Sequence, residues 1–401
     1  MRKIGFVIPW YGENIPGGAE NAFRDITTKL FEDGVELEIV TTCVEKFGSD
    51  WSVNFHKPGF TKNSIGIPVR RFEADKRDTE AFDRINLKIC QGESITRAEE
   101  EIFMQEMVNS QAMYDYLKEH EADYELFVGI PYMFGPVYQV ARLFPKKTLL
   151  IPCLHDEGYA YMEIFKECYS RIGGMFFNAQ PEAELAKRLY GLEEVIQCTA
   201  GLGMDVDISG DGAAFREKFQ IEDSFILYAG RKDKLKNIDT LIRFFCMYKR
   251  RNPGSLKLVL IGGGEVEIPE GFKEEILDLG FVDIQDKYNA YAAAELLCQP
   301  SHNESFSYVI MESWLMDRPV LVHEDCAVTK DFAIRAGGGL YFKTYGDFEG
   351  CVNFFRMNKE KAAQMGQNGR TFVRENFAWS TVLEKYHQVF SQIIERNETD
   401  Q

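Results

Sequence analysis

The chain has 401 residues, 45% apolar and 27% charged, which is enough for two domains that each bury a core. Lys and Arg total 46 against 63 Asp and Glu, a formal charge of −17. That balance argues against a sequence-wide nucleic-acid grip and against general attraction to anionic membranes. Collagen-like, low-complexity and disordered classes are excluded by the globular composition.

No apolar stretch reaches the roughly 18 residues of a membrane-spanning helix. The start, Met1-Arg2-Lys3-Ile4-Gly5-Phe6-Val7-Ile8-Pro9, has two basic residues but only a short apolar run. It reads as a buried strand rather than a secretory leader, so a cytoplasmic protein is expected. The nine cysteines include no Cys-x-x-Cys pair, and their odd number fits reduced thiols better than a disulfide framework.

Short apolar runs occur at 4–8, 36–41, 126–129, 148–152 and 174–178, then at 225–229, 257–261, 295–299 and 319–323. Helical patterns fill most intervals. This alternation predicts the α/β class, with parallel sheets and helical crossovers. Gly201 and Gly203 mark a boundary between an apolar strand at 195–198 and a polar stretch at 207–217. Each half therefore reads as its own doubly wound, Rossmann-like unit: 1–202, then 203–376, with a last segment at 377–401. A final helix over 379–394 carries Val382, Leu383, Tyr386, Val389, Phe390 and Ile393 on one stripe.

Residues 45–120 interrupt the first unit. Ten Lys and Arg residues, from Lys46 to Arg97, crowd this stretch, with Trp51, Phe55, Phe60, Phe72 and Phe82 interleaved. A long helix is predicted over 96–119. The segment reads either as a solvated excursion with a small cluster of its own or as an acceptor-binding surface.

Four stretches carry chemistry. Gly17-Gly18-Ala19-Glu20 follows the first strand and opens a helix, where free N–H groups suit an anion. The Gly-x-Gly-x-x-Gly dinucleotide fingerprint is absent there. Gly230-Arg231-Lys232-Asp233-Lys234-Leu235-Lys236-Asn237 puts several cations on one strand-end loop, which suits a polyphosphate and, taken alone, equally a solvated basic turn. Gly262-Gly263-Gly264 ends another strand, at the edge where open α/β sheets bind ligands.

The fourth stretch runs from Gln299-Pro300-Ser301-His302-Asn303-Glu304 through Ser305-Phe306-Ser307 to Glu312. A strand ends at Pro300 and a helix begins near Ser305 to Ser307, both plausible N-caps. A phosphate there meets free backbone N–H groups. The eight-residue step from Glu304 to Glu312, if all helical, spans roughly 12 Å. That is too far for the roughly 5–9.5 Å of a glycosidase carboxylate pair. It suits two carboxylates that grip hydroxyls at opposite ends of one ligand.

These motifs resemble the retaining GT-B-fold glycosyltransferases of the family-4 type, the glycosyl transferases group 1. The Glu, seven residues, Glu pattern is met by Glu304 and Glu312, and the Gly-Arg, spacer, Lys pattern by Gly230, Arg231 and Lys236. The offset of Lys236 from Arg231 matches better than that of Lys232 or Lys234. The resemblance is clearest over 225–345, and Gly17-Gly18-Ala19-Glu20 extends it toward the start. It implies two Rossmann-like domains facing across a cleft, with the last helix packing back on the first domain.

By that resemblance, Arg231 and Lys236 bind the donor diphosphate and neutralise the leaving group. Glu304 contacts sugar hydroxyls and Glu312 the nucleotide ribose. Ser305, Phe306 and Ser307 meet sugar or phosphate, Phe281 and Val282 line the base pocket, and Gly17, Gly18, Gly230 and Gly262 approach the donor. His155, in His155-Asp156-Glu157 after the strand at 148–152, stands where relatives often have a catalytic-site His. Asp205-Val206-Asp207 lies in the linker and reads as structural. No metal or other cofactor is expected.

The implied reaction moves a hexosyl unit from a nucleoside-diphosphate sugar to a hydroxyl of a saccharide or lipid-linked saccharide. It retains the anomeric configuration and serves cell-surface polysaccharide or glycoconjugate assembly. Membrane contact would be peripheral, at the inner face, and no nucleic acid is a partner. The rival readings are a nucleotide-sugar epimerase of the same fold and a non-catalytic scaffold subunit.

Overall fold

Runs such as Leu37–Thr42 and Phe225–Ala229 are buried at every residue, which is the mark of strands covered on both faces. In the computed structural model, which describes residues 2–399, fourteen strands form two separate sheets. Met1, Asp400 and Gln401, included in the readings of both termini, lie outside the described residues. Two compact units result: residues up to Gly203 together with those from Trp379 onward, and Met204–Ala378 between them.

The first unit holds β1 (Lys3–Val7), β2 (Leu37–Thr42), β3 (Gly59–Lys62), β4 (Pro68–Phe72), β5 (Tyr124–Gly129), β6 (Thr148–Leu150), β7 (Gly174–Phe177) and β8 (Ile196–Thr199). Their order is β3-β4-β2-β1-β5-β6-β7-β8, parallel throughout except for β3 against β4. The chain steps outward from β1 through β2 and then returns to β5 on the other side. The strand order therefore reverses between β1 and β5.

The segment 45–120 differs from its predicted form in two ways. It is no separate excursion, because β3 and β4 extend the main sheet, and Trp51, Phe82, Phe103, Met107 and Met113 belong to the continuous core of the unit. Its cations are largely used internally. Arg70 pairs with Glu38 at 2.7 Å, Arg71 donates to the Tyr11 carbonyl, Arg77 to the Glu106 carbonyl, and Lys88 pairs with Glu99.

The predicted helix over 96–119 is two helices, Arg97–Gln105 and Gln111–Glu119. The break has a local cause. Asn109 Nδ2 donates to the carbonyls of Met104, Gln105 and Met107 and so ends the first helix. The Ser110 hydroxyl then caps the second by accepting from Met113 N–H.

The last helix, Trp379–Thr399, buries Val382, Tyr386, Val389, Phe390 and Ile393 against the first unit. The Tyr386 ring stacks on Phe176, with centroids 4.0 Å apart, and Arg396 donates to the Gly173 carbonyl at 2.6 Å. No helix among the described residues is long and apolar enough to cross a membrane.

The second unit holds β9 (Phe225–Ala229), β10 (Lys257–Ile261), β11 (Ile276–Asp278), β12 (Leu296–Gln299), β13 (Val320–His323) and β14 (Gly339–Phe342). All are parallel, in the order β11-β10-β9-β12-β13-β14. The order reverses between β9 and β12. A crevice at such a reversal lies beyond the carboxyl ends of the strands, where doubly wound sheets bind ligands.

Candidate donor site in the second unit

The loops leaving β9 and β12 flank the reversal. Gly230 opens the first loop with φ 148°, a backbone setting that few side chains tolerate. Arg231 is exposed, with Nε 3.6 Å from Asp233. The Lys232 side chain is only 1% exposed and pairs with Asp278 at 2.5 Å, so it fastens the loop to the end of β11. The Asp233 carboxylate accepts Lys236 N–H at 3.1 Å and fixes a single turn, Lys234–Lys236.

That turn aims Lys236 across the reversal. Its Nζ lies 2.6 Å from Glu304 Oε1, in the loop after β12. The loops are joined a second time where Asn237 Nδ2 donates to the Pro300 carbonyl at 3.0 Å. Of the three lysines, 236 faces the crevice edge and 232 is structural. Gln299 Nε2 also approaches Glu304, at 3.4 Å.

Glu312 forms a second pole. It is buried within the helix Tyr308–Leu315 and takes Lys287 Nζ at 2.6 Å and Tyr291 O–H at 2.9 Å. Lys287 and Tyr291 are one turn apart on the helix Ile284–Ala293, whose first turn the Asp283 carboxylate caps. Burial, followed by the Glu312 charge, raises the Tyr291 phenol well above its ordinary range. Tyr288 is pushed up to about 12, chiefly by burial. Glu304 and Glu312 thus have separate cationic partners.

Ser305, Phe306 and Ser307 connect the poles. The Phe306 ring packs edge-on against Phe377 and Phe332, which leaves only its backbone for a ligand. Neither serine makes the expected cap. The helix starts at Tyr308, and Ser307 precedes it with φ 115° and no side-chain bond to the first turn. An N-cap serine needs extended backbone to reach N2 or N3, and this conformation turns the hydroxyl away. Ser307 Oγ is buried without a hydrogen-bond partner among the described residues.

The glycine turn after β10 has a structural cause. Gly262 has φ 122°, and a Cβ there would stand 2.0 Å from the Gly230 carbonyl oxygen. Gly264 similarly lies against the Lys232 backbone. These glycines let two strand-end loops interlock, with Lys232 N–H donating to the Gly263 carbonyl. Past β11, the Phe281 side chain is 86% exposed and Val282 is partly buried.

In the first unit, Gly17 precedes the helix Gly18–Glu32 with φ 155°. A side chain on Gly17 would meet the Glu20 carboxylate, which accepts Trp10 Nε1–H at 2.8 Å. That helix start therefore already holds an acid of its own. A Cβ on Gly18 would meet open space. His155 is partly exposed in the loop after β6. The loop carries Cys153 at φ 51°, and the next residue, Leu154, donates its N–H to the buried Glu182 at 2.6 Å. Asp207 pairs with Arg374 at 3.5 Å, consistent with a structural linker.

Sequence reading missed Asn237, Asp278, Lys287, Tyr291 and Glu182. Only the i, i+4 spacing of Lys287 and Tyr291 behind a capping Asp left a local trace, and nothing in that spacing names Glu312 as their target.

Residues 212–372 match the family described as Glycosyl transferases group 1. D-inositol 3-phosphate glycosyltransferase from Nocardia farcinica is 26% identical over 412 aligned residues, spanning 96% of this chain and 86% of that protein. The enzyme of that name from Saccharomonospora viridis is 32% identical over 163 residues, 36% of this chain. That alignment spans only 38% of the relative. The structure of Anabaena HepE in complex with UDP and glucose superposes with a TM-score of 0.66 at 15% identity, covering 98% of this chain and 100% of that one. The fold is that of the GT-B glycosyltransferases, two parallel-sheet Rossmann-like domains. The matched stretch covers the paired loops and both carboxylate poles, so the part of the chain that builds this site is similar to the glycosyl transferases group 1.

Proposed function

We propose that the chain transfers a hexosyl unit from a nucleoside-diphosphate sugar to a hydroxyl acceptor, with retention at the anomeric carbon and no metal in the transfer step. The Lys236–Glu304 pair across the strand-order reversal carries this reading. It sets a cation for phosphate beside a carboxylate for sugar hydroxyls. Glu312 forms a second acidic pole, for the ribose, and exposed Phe281 with Val282 offers a face for the base.

Cleavage of the glycosidic bond sends negative charge onto the departing diphosphate. Arg231, Lys236 and the backbone N–H groups at Phe306 and Ser307 stabilise that charge as it grows, so their effect is larger in the transition state than in the bound donor. Gly230 and Gly262 keep the loop backbones close enough to present these groups. No carboxylate stands as an obvious nucleophile, because Glu304 is engaged with Lys236 and Glu312 with Lys287 and Tyr291. The leaving phosphate itself then takes the acceptor proton on the same face. In the first unit, Gly17, Gly18 and His155 are assigned to sugar handling at the end of their own sheet.

The UDP and glucose held by HepE support a uridine donor, and the acceptor is a saccharide or lipid-linked saccharide of cell-surface glycoconjugate assembly. The protein works in the cytoplasm, with peripheral contact at the inner membrane face.

A thermal-shift screen of UDP, GDP, ADP and their sugar conjugates tests the donor, since a ligand of the native state raises stability by mass action. The expected result is a rise with UDP and UDP-hexoses, followed by acceptor-dependent UDP release with the α-anomeric product from an α-linked donor. A conjugate altered without acceptor would point to an epimerase. No rise with any nucleotide would overturn the donor site.

A further inference from the structure

Beside the paired loops, two histidines and an aspartate converge. His302 lies in the loop after β12, His323 ends β13, and Asp325 follows it. One ligand atom from each lies within 4.8 Å of the others, the only such group of three among the described residues. The sheet sets this meeting, because β12 and β13 pair in parallel with Gln299 opposite Val322 and so deliver the two strand ends together. The imidazole centroids are 4.3 Å apart, and His323 Nδ1 lies 3.9 Å from Asp325 Oδ2.

We propose that His302, His323 and Asp325 form a binding site for a borderline divalent transition metal of the Zn²⁺ or Co²⁺ type, through one ring nitrogen of each histidine and one carboxylate oxygen. Two imidazoles and a carboxylate are the donor set that such ions prefer over Mg²⁺ or Ca²⁺. Bonds of about 2.0–2.1 Å ask for roughly 3–3.5 Å between ligand atoms. His302 and Asp325 are both exposed, and closing on a metal would take rotation of their side chains.

His323 Nδ1 accepts Asp325 N–H at 3.2 Å, a bond that metal binding at that nitrogen would replace. Lys343 Nζ holds Asp325 Oδ1 at 2.8 Å, which leaves Oδ2 toward His323. Lys330 is engaged by Glu324 at 2.8 Å. Asn237 Nδ2, which also donates to the Pro300 carbonyl, donates to His302 Nε2 at 2.9 Å, so a metal on that nitrogen would displace this bond. The site adjoins the proposed donor loops, since His302 lies two residues before Glu304 and meets Asn237, the residue after Lys236, but its three ligands are not among the residues assigned to the donor. Its occupancy would tie the loop bearing Glu304 to the end of β13.

The test is titration of the chelator-stripped full chain with Co²⁺, read by visible absorption, and with Zn²⁺, read by calorimetry. One equivalent is expected to bind, with d–d bands of a low-coordinate nitrogen–oxygen site. His302→Ala and Asp325→Asn, both at exposed positions, should each weaken binding by about tenfold or more, and the double variant should abolish it. Far-UV circular dichroism and thermal melts without ligand serve as the folding control. Absence of stoichiometric binding overturns the site. So does binding unchanged in the double variant, or thiolate charge-transfer bands that would put the metal on cysteines.

Discussion

Lys236 Nζ stands 2.6 Å from Glu304 Oε1, and the two reach each other from the loops that leave β9 and β12 on opposite sides of the strand-order reversal. The pair is partly buried, with side chains 22% and 13% exposed. A bound diphosphate would compete with Glu304 for the lysine. In the proposed reaction, the pair holds the cation where the leaving group would sit. Lys236→Ala is therefore expected to lower turnover by about a hundredfold or more, the scale of losing one charge-stabilising donor. Its melting temperature should fall by only about 2–4 °C, as suits a pair still touched by solvent. Turnover within a few-fold of wild type would remove Lys236 from the reaction.

Glu312 is held by Lys287 and Tyr291, and that network separates binding from folding. Glu312→Gln leaves Lys287 beside a neutral amide, so both stability and nucleotide affinity should drop. Affinity should fall by about tenfold, the worth of one charge-assisted bond. Adding Lys287→Gln removes the stranded cation and should recover much of the stability, while affinity stays lost. Calorimetry of UDP binding and thermal melts on wild type and both variants decide this. Recovery of affinity in the double variant would show that Glu312 acts only through Lys287.

The interlocked turns give a steric prediction with an internal control. At Gly262 an added Cβ would stand 2.0 Å from a backbone oxygen, at φ 122°. Gly262→Ala should cost about 2–4 kcal/mol, because backbone rather than a flexible side chain must move. One residue on, a Cβ at Gly263 would meet nothing within 4 Å. Gly263→Ala should stay within about 0.5 kcal/mol of wild type. Urea denaturation of both variants tests the pair, and equal losses would refute the interlock.

The alternation of strands and helices was readable because the central strands, such as β9 and β10, are apolar on both faces. β3 and β4 were not. All four residues of β3 are exposed at a sheet edge, and β4 carries Arg70 and Arg71. Those charges are met by Glu38 and the Tyr11 carbonyl, both far away in sequence. Likewise the apolar spacing over 96–119 fits one helix, and only the three bonds of Asn109 reveal two. The cation-rich loop after β9 and the Glu304–Glu312 spacing stood out in the sequence, and the resemblance to the glycosyltransferases singled out Arg231 and Lys236. The partners of these residues were not legible, since Lys287 meets Glu312 from a different helix. Nor could spacing show that Lys232 is buried against Asp278.

Glu182 provides a pH prediction for the first unit. Its carboxylate is buried and accepts Leu154 N–H and Asn178 N–H, each at 2.6 Å, fastening the loop that carries His155 to the turn after β7. Burial outweighs those bonds and pushes its pKa up to about 8 from 4.5. Between these values the folded state binds more protons than the unfolded one. The contribution of this group to stability is therefore complete below the unfolded value and is lost as pH rises through about 8. The loss is on the order of 4–5 kcal/mol. Glu182→Gln cannot ionise, so it should lack this slope. Urea denaturation at pH 5 and pH 8.5, read on the transition of the first unit, should show wild type losing ground to the variant as pH rises. A difference independent of pH would mean that Glu182 stays ionised in the fold, held by its backbone donors, and that the loop at His155 is fastened by a permanent buried charge.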